Sequence, residues 1–245
     1  MGENMNNYQF KKIKTEINRI NINLSEKQTH QFLKYYEMLV DKNKVMNLTS
    51  ITEFDEVVEK HFLDSLSLAA HVDLNKKMKV LDLGTGAGFP GIPLQIAFPE
   101  LEMVLMDSLN KRVLFLKDVI DELKLKDISA VHGRAEEMAK KSEYREKFDL
   151  CVSRAVSNLS SLSEYCIPFV KLGGQFISYK SGEVDEEVLQ AERAVSVLGG
   201  KILNVKKFNL AGTDISRSFI FIEKKKETPK SFPRKAGTPS KNPIQ

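Results

Sequence analysis

From residue 79 onward, short apolar runs alternate with segments in which apolar residues recur at helical spacing. The apolar runs predict β-strands at residues 79–83, 102–107, 128–132, 148–153 and 174–179. The periodic segments between them predict helices at residues 91–98, 110–123, 157–170 and 183–198. This alternation is typical of a parallel sheet that carries helices on both faces.

The pattern changes near the end of this region. Residues 201–210 and 216–223 are two further strand-like runs, and only a short polar loop separates them. Because no helix fits between them, the two strands must pair antiparallel. We therefore expect an α/β fold with a seven-stranded, mostly parallel sheet and an antiparallel last hairpin. Class I (Rossmann-like) S-adenosylmethionine-dependent methyltransferases have this arrangement.

The N-terminal part predicts two amphipathic helices. Ser25 and Gln28 have the spacing of a capping box before the first helix. Thr52 and Asp55 have the same spacing before the second, which we expect to run to about Ala70. We interpret this region as a helical cap packed on the main domain.

The first predicted strand ends in a glycine-rich turn, Asp82-Leu83-Gly84-Thr85-Gly86-Ala87-Gly88, and a helical pattern follows it. Open α/β folds build nucleotide sites from a strand, a glycine turn and a helix in this order. A dinucleotide fingerprint that begins at Gly84 would need a glycine where the chain has Phe89. The spacing is instead similar to the first motif of S-adenosylmethionine-dependent methyltransferases. The alternative is an ordinary tight turn.

The second predicted strand ends in a carboxylate, Asp107, 23 residues after Gly84. A carboxylate at this place can accept hydrogen bonds from both hydroxyls of a ribose. NAD enzymes use the same device, so Asp107 alone does not identify the cofactor.

Composition and charge divide the chain further. The net charge is +4, but residues 224–245 carry seven lysines and arginines against one glutamate, so the tail supplies the positive balance. We expect domain boundaries of 1–76 for the cap, 77–224 for the main domain and 225–245 for a basic, extended tail. Such a tail suggests a polyanionic partner, or else only a solubilising end. No apolar run reaches membrane-spanning length, and the two cysteines fit buried thiols of a cytoplasmic protein.

Several segments together resemble one family, the bacterial small-subunit rRNA guanine-N7 methyltransferases known as RsmG or GidB. The resemblance covers nearly the whole chain. It rests on Asn47-Leu48-Thr49, residues 61–66, residues 84–93, residues 107–112, Arg134-Ala135-Glu136, Ser153-Arg154-Ala155-Val156 and residues 232–239. The resemblance implies transfer of a methyl group from S-adenosylmethionine to N7 of a guanine in the 530 loop of 16S rRNA.

The predicted cofactor-binding residues are Gly84, Gly86, Phe89, Asp107, Ala135, Glu136 and Arg154. Glycines let the cofactor approach the backbone, and the residues after the third strand lie where this fold places an adenine. Asp82 could reach the methionyl ammonium. The resemblance adds that five of these residues match contacts that the family makes with its cofactor: Gly84, Phe89, Ala135, Glu136 and Arg154.

We predict no catalytic side chain, because guanine N7 carries a lone pair and no proton. Arg154 is the one candidate, for the methionyl carboxylate or a guanine edge. The alternative for Arg154 is an ion pair with Asp82 or Glu136. We expect solvated or capping roles for His61 and Asp64.

The expected partner is 16S rRNA or the small ribosomal subunit, with no metal and no membrane, and the protein is expected to be a monomer. Two other functions stay open. One is a non-catalytic RNA-binding or ribosome-assembly factor with a retained cofactor site, and the other is a small-molecule methyltransferase. An NAD oxidoreductase fits the glycine turn and the final hairpin least well.

Overall fold

The computed structural model describes residues 2–154 and 157–245, with side chains from residue 7 onward. Two long helices open the chain, α1 (Gly2–Asn18) and α2 (Glu26–Met46). A helical segment follows in four short pieces: α3 (Phe54–Val57), a π-helical turn (Val58–Leu63), α4 (Asp64–Leu66) and a 3-10 turn (Ser67–Ala70). The polar, mixed-charge sequence before Ser25 gave no prediction of α1.

The capping predictions have opposite outcomes. At α2, Ser25 and Gln28 form the predicted capping box, with both reciprocal hydrogen bonds present. The predicted box of Thr52 and Asp55 is wrong, because Glu53 is the N-cap residue of α3 and makes no side-chain cap bond. The Asp55 carboxylate instead accepts a hydrogen bond from the hydroxyl of Tyr8 on α1, at 3.0 Å.

The sheet has seven strands in the order β3-β2-β1-β4-β5-β7-β6. The strands are β1 (Met78–Leu83), β2 (Leu101–Asp107), β3 (Ile128–His132), β4 (Phe148–Arg154), β5 (Val170–Ser181), β6 (Gly200–Asn209) and β7 (Ser216–Lys224). The first five strands are parallel, and β7 pairs antiparallel with both β5 and β6. The predicted sheet and its antiparallel last hairpin are confirmed.

Helices cover both faces of the sheet. They are α5 (Gly91–Ala97), α6 (Asn110–Glu122), α7 (Ala135–Met138), α8 (Leu159–Cys166), a 3-10 turn (Ile167–Phe169) and α9 (Asp185–Val197). The cap shares a core with one sheet face, in which Phe32, Tyr35 and Phe62 pack with residues of β1, β2, α5 and α6. Helices α8 and α9 cover the other face. The cap is therefore fixed on the face that carries α5, directly after the glycine turn.

The C-terminal tail differs from the extended segment that the sequence predicts. It ends in a short helix, α10 (Thr238–Lys241), and the hydroxyl of Ser161 on α8 donates to the carbonyl of Pro239 at 2.7 Å. Pro239 is buried. The tail thus packs on the surface of its own protein.

Candidate functional site

The glycine turn after β1 depends on glycine for two separate reasons. Gly84, Gly86 and Gly88 have φ angles of +70°, +63° and +110°, a region that other residues rarely adopt. A Cβ at Gly88 would also lie 2.6 Å from Ile92 Cγ1 and 2.8 Å from the Tyr35 hydroxyl oxygen. A Cβ at Gly86 would meet nothing within 4 Å. Open space therefore lies in front of Gly86, while Gly88 is packed against the cap.

The side chain of Asp82 holds this turn together from below. It is fully buried, and its Oδ2 accepts hydrogen bonds from the Thr85 hydroxyl at 2.6 Å and from the Gly91 amide at 2.8 Å. Burial raises the pKa of Asp82 to about 6. Asp82 thus joins β1 to the start of α5, and it does not line the cavity that lies above the turn.

Asp107, at the end of β2, reaches across to the same turn. Its Oδ2 accepts from the Gly86 amide at 3.0 Å and its Oδ1 from the Leu109 amide at 2.8 Å. The Arg112 guanidinium lies 3.5 Å away. Each carboxylate oxygen has two lone-pair sites, so Asp107 retains acceptor capacity for a ligand on the cavity side.

We define the first cavity as the space of about 310 Å³ above the carboxyl ends of β1, β2 and β3. This volume lies near the lower limit for small-molecule sites, roughly 300–1,000 Å³. Of the predicted residues, Gly84, Asp107, Ala135 and Glu136 line it. Its other lining residues are Leu83, Met106, Ser108, Gly133, Arg134, Leu162, Tyr165, Gly237 and Ser240. Gly86 is connected to it through the hydrogen bond to Asp107.

The second cavity, of about 620 Å³, lies beyond the ends of β4 and β5. Arg154 lines it, and the guanidinium carbon lies 5.0 Å from the centre of the Phe89 ring. The His61 ring stacks on Phe89 with 4.5 Å between ring centres. Lys60, Lys180 and Arg217 add further positive charge. Asp64 and Glu187 line the cavity as well, and Glu187 pairs with Lys180 at 2.7 Å. The basic side chains outnumber these two carboxylates, so the cavity is cationic and suited to a phosphate-bearing ligand.

Asp64 fixes the position of Arg154. Its Oδ2 accepts from Arg154 Nη1 at 2.9 Å and its Oδ1 from Arg217 Nε at 2.8 Å. The Asp64 side chain is only 5% exposed, so the expected solvated or capping role for it is wrong. Arg154 does form an ion pair, but its partner is Asp64 of the cap instead of Asp82 or Glu136.

The structure thus distributes the predicted site over two cavities, with Arg154 at the second, while Phe89 is buried against the Arg154 guanidinium and lines neither cavity. Ala155 and Val156, part of one family-like segment, lie outside the described residues. Sequence reasoning missed His61, Asp64 and Arg217 around Arg154, and Gly237 and Ser240 at the first cavity. The family-like segment 61–66 contains His61 and Asp64 and was a usable signal for both. The family-like segment 232–239 contains Gly237 but ends before Ser240, so it could have indicated only Gly237.

The second cavity holds a histidine that stays neutral. Burial, and next the Arg154 guanidinium, lower the pKa of His61 to about 3. The pKa of an unperturbed histidine is about 6.5. Between these two values the unfolded chain binds a proton that the folded chain does not. His61 therefore contributes stability above about pH 6.5 that is lost as the pH falls.

We expect this effect to appear when the wild type is compared with His61→Gln. Below pH 6.5, the free energy of unfolding of the wild type should fall relative to the variant by about 1.4 kcal/mol per pH unit. Urea unfolding at several pH values measures it. The comparison cancels Asp82, whose raised pKa acts in the opposite direction over an overlapping range. A difference that does not vary with pH would contradict a neutral, buried His61.

Neither cysteine is available as a nucleophile. Cys151 on β4 and Cys166 on α8 are both fully buried. Burial, and next the hydrogen bond and charge of Cys151, raise the pKa of the Cys166 thiol well above its usual value. The thiolate needed for covalent attack on a pyrimidine ring is therefore disfavoured.

Residues 2–154 and 157–245 contain neither a membrane-spanning helix nor a cluster of metal-binding side chains. No helix there is both long enough and apolar enough to cross a membrane. The same ranges contain no group of three or more His, Cys, Asp or Glu side chains placed to hold a metal ion.

Comparison with known proteins adds the following. The GidB family, described as rRNA small subunit methyltransferase G, matches residues 28–218. The protein named ribosomal RNA small subunit methyltransferase G in Lachnoclostridium phytofermentans is 55% identical, over 92% of this chain and 93% of the relative. The protein of the same name in Desulforamulus reducens is 50% identical, over 95% of this chain and 97% of the relative.

Solved structures are similar in fold alone. The Methanococcus jannaschii fibrillarin pre-rRNA processing protein superimposes with a TM-score of 0.50 at 17% identity, over 63% of this chain and 70% of the other. TrmN from Thermus thermophilus does so with a TM-score of 0.50 at 14% identity, over 68% and 53%.

Proposed function

The chain belongs to the GidB family of rRNA small subunit methyltransferases G, and we propose on this premise that it methylates N7 of a guanine in the 530 loop of 16S rRNA with S-adenosylmethionine. It is accordingly an S-adenosylmethionine-dependent methyltransferase of 16S rRNA. The choice of N7 and of the 530 loop rests on the family resemblance. The observation that carries the proposal is the pair of cavities along the carboxyl edge of one sheet, one suited to a nucleoside and the other cationic.

The first cavity fits the adenosine part of the cofactor. The open space in front of Gly86 leaves room for a ligand against the backbone. Asp107 retains acceptor capacity for ribose hydroxyls, and Ala135 and Glu136 form the wall on the side of β3. We assign Gly84, Gly86, Phe89, Asp107, Ala135, Glu136 and Arg154 as the cofactor-binding set, with Phe89 and Arg154 on the methionine side.

The reaction requires no side chain that acts as a base or as a nucleophile. When bound, S-adenosylmethionine supplies an already activated methyl group. The acceptor N7 would offer a lone pair and carries no proton, so no side chain would have to act as a base. The protein's task is to hold the two reacting atoms about 3–3.5 Å apart and aligned. Arg154 can donate to the guanine O6 or to the methionyl carboxylate, and Asp64 holds it in place for either role.

The proposal is tested by incubating the protein with labelled S-adenosylmethionine and three substrates: naked 16S rRNA, an assembly intermediate and the mature small subunit. We expect label at a single guanine in the 530 loop, with the product identified as 7-methylguanosine by its sensitivity to chemical strand cleavage. Label at another atom or another site would contradict the assignment. A protein that binds rRNA and methylates none of the three would instead be an assembly factor.

The double variant Cys151→Ala/Cys166→Ala serves as the chemical control. Direct transfer to N7 uses no thiol, so turnover by the folded variant should match that of the wild type. An RNA–protein adduct that depends on either thiol would favour carbon-5 methylation. The same proposal makes the protein a cytoplasmic monomer whose partner is 16S rRNA or the small ribosomal subunit.

A further inference from the structure

The C-terminal segment 228–241, which we call the strap, is held on the protein at both ends. At its start, Glu146 accepts from the Thr228 amide at 2.8 Å. The Arg145 guanidinium donates to the carbonyls of Thr228 and Phe232 at 2.7 and 3.0 Å. The ammonium of Lys224, which is almost completely buried, donates to the Thr228 hydroxyl. These bonds fix the position at which the strap leaves the sheet.

A buried ion pair anchors the middle of the strap. Glu164 on α8 is fully buried, and its Oε1 accepts from Arg234 Nε at 3.0 Å while its Oε2 accepts from Nη2 at 2.7 Å, a bidentate arrangement. One of the same oxygens accepts from the Arg234 backbone amide at 2.7 Å. Bidentate pairs fix geometry as well as charge. Arg234 is therefore bound to Glu164 through its backbone amide and two of its guanidinium nitrogens.

Beyond this anchor, the strap reaches the first cavity. The Gly237 amide donates to Glu136 Oε1 at 2.8 Å, and both Gly237 and Ser240 line the cavity together with Gly84 and Asp107. Gly237 has a φ of +82°, and a Cβ there would meet nothing within 4 Å. The strap thus supplies the wall that faces the β1–β2 side, and its backbone orients the Glu136 carboxylate.

We propose that the strap is part of the cofactor site, with Gly237 and Ser240 as cavity wall and the pair Glu164–Arg234 as its positioning element. This inference rests on the proposed function, since it assumes that S-adenosylmethionine occupies the first cavity. The strap is far from the glycine turn along the chain, yet Gly237 lies in hydrogen-bond contact with Glu136 at the first cavity. The family match also ends at residue 218, before the strap begins.

The test is calorimetric titration of S-adenosylmethionine into three proteins. One is the full chain, the second ends at Lys235 and so retains Arg234, and the third is Gly237→Ala. Loss of the wall and of one charge-assisted hydrogen bond should weaken binding by about tenfold or more. Gly173→Ala is the matched control, since Gly173 has a φ of +76° and equally open space for a Cβ. Gly173 lies in β5, at the end of the sheet away from the cavities. The affinity of Gly173→Ala for S-adenosylmethionine should therefore equal that of the full chain.

The outcomes are separable. If the full chain binds no S-adenosylmethionine, the proposed function itself fails. If the full chain and the shortened protein bind S-adenosylmethionine equally well, the strap inference is overturned. If the shortened protein then loses only affinity for RNA, the tail is an RNA-binding segment. Hydrogen exchange gives an independent readout: because coupling is reciprocal, added cofactor should slow exchange of the Gly237 amide in the full chain. Unchanged exchange would also count against the proposal.

Discussion

Replacing Asp107 with alanine is expected to weaken S-adenosylmethionine binding by about 10- to 150-fold, the loss of a charged hydrogen-bond acceptor worth roughly 1.5–3 kcal/mol. Asp107 is 3% exposed and lines the first cavity, so a ribose there would bond to it with little competition from water. The carboxylate also holds the amides of Gly86 and Leu109. Its removal would therefore loosen the glycine turn as well as remove a ligand contact.

Two further variants separate these effects. Asp107→Asn keeps one amide oxygen for the turn and removes the charge, so it should lie between the wild type and Asp107→Ala in affinity. Asp121→Ala, on the exposed side of α6, should bind as the wild type does. Affinities come from calorimetric titration, with thermal unfolding as the check on folding. Equal affinity of Asp107→Ala and the wild type would remove Asp107 from the cofactor site.

Replacing Asp64 with alanine is expected to lower the free energy of unfolding by about 3–5 kcal/mol, the usual cost of removing one partner from a buried ion pair. Arg154 and Arg217 have only 14% and 20% of their side chains exposed, and both bond to Asp64 at 2.8–2.9 Å. Without the carboxylate, the two guanidiniums would face each other in a poorly hydrated space. The cap and β4 would lose one of the interactions that join them at the second cavity, beside the bonds from Arg154 to Lys60 and His61.

Urea unfolding of Asp64→Ala measures this cost, and Asp73→Ala, an exposed position on the loop before β1, is the control. A second comparison tests the geometry. In Arg217→Met, Asp64 keeps its bond to Arg154, so the loss should be smaller than in Asp64→Ala. A loss below about 1 kcal/mol for Asp64→Ala, the range of exposed pairs, would mean that water already screens the cluster.

The sheet could be predicted because its signal is local. Each strand of the parallel part is a short apolar run, and the chain returns through a helix each time, so the number of strands and their parallel direction follow from the pattern. The order of the strands in the sheet does not. The glycine turn and Asp107 could be predicted for the same reason. They occupy fixed places at the ends of β1 and β2.

The remainder of the site depends on pairs that are distant in sequence. Asp64 and Arg217 are separated by 153 positions, Glu136 and Gly237 by 101, and Glu164 and Arg234 by 70. No local periodicity encodes such contacts, and a charged residue in a helical pattern looks solvated until its partner is known. The basic composition of the tail predicted an RNA contact, yet its central arginine is used to neutralise a buried glutamate.

The close packing of Gly88 against Tyr35 limits how the two positions can change over evolutionary time. Tyr35 donates to the Ala87 carbonyl at 2.7 Å, and its hydroxyl occupies the space that a side chain at position 88 would need. A smaller residue at 35 would remove one of these close contacts, but Ile92 Cγ1 would stay 2.6 Å from a Cβ at position 88, and the φ of +110° would still disfavour a side chain there. Position 35 in the cap can therefore change while the glycine turn stays as it is. Position 88 in the turn must remain glycine whichever residue occupies position 35.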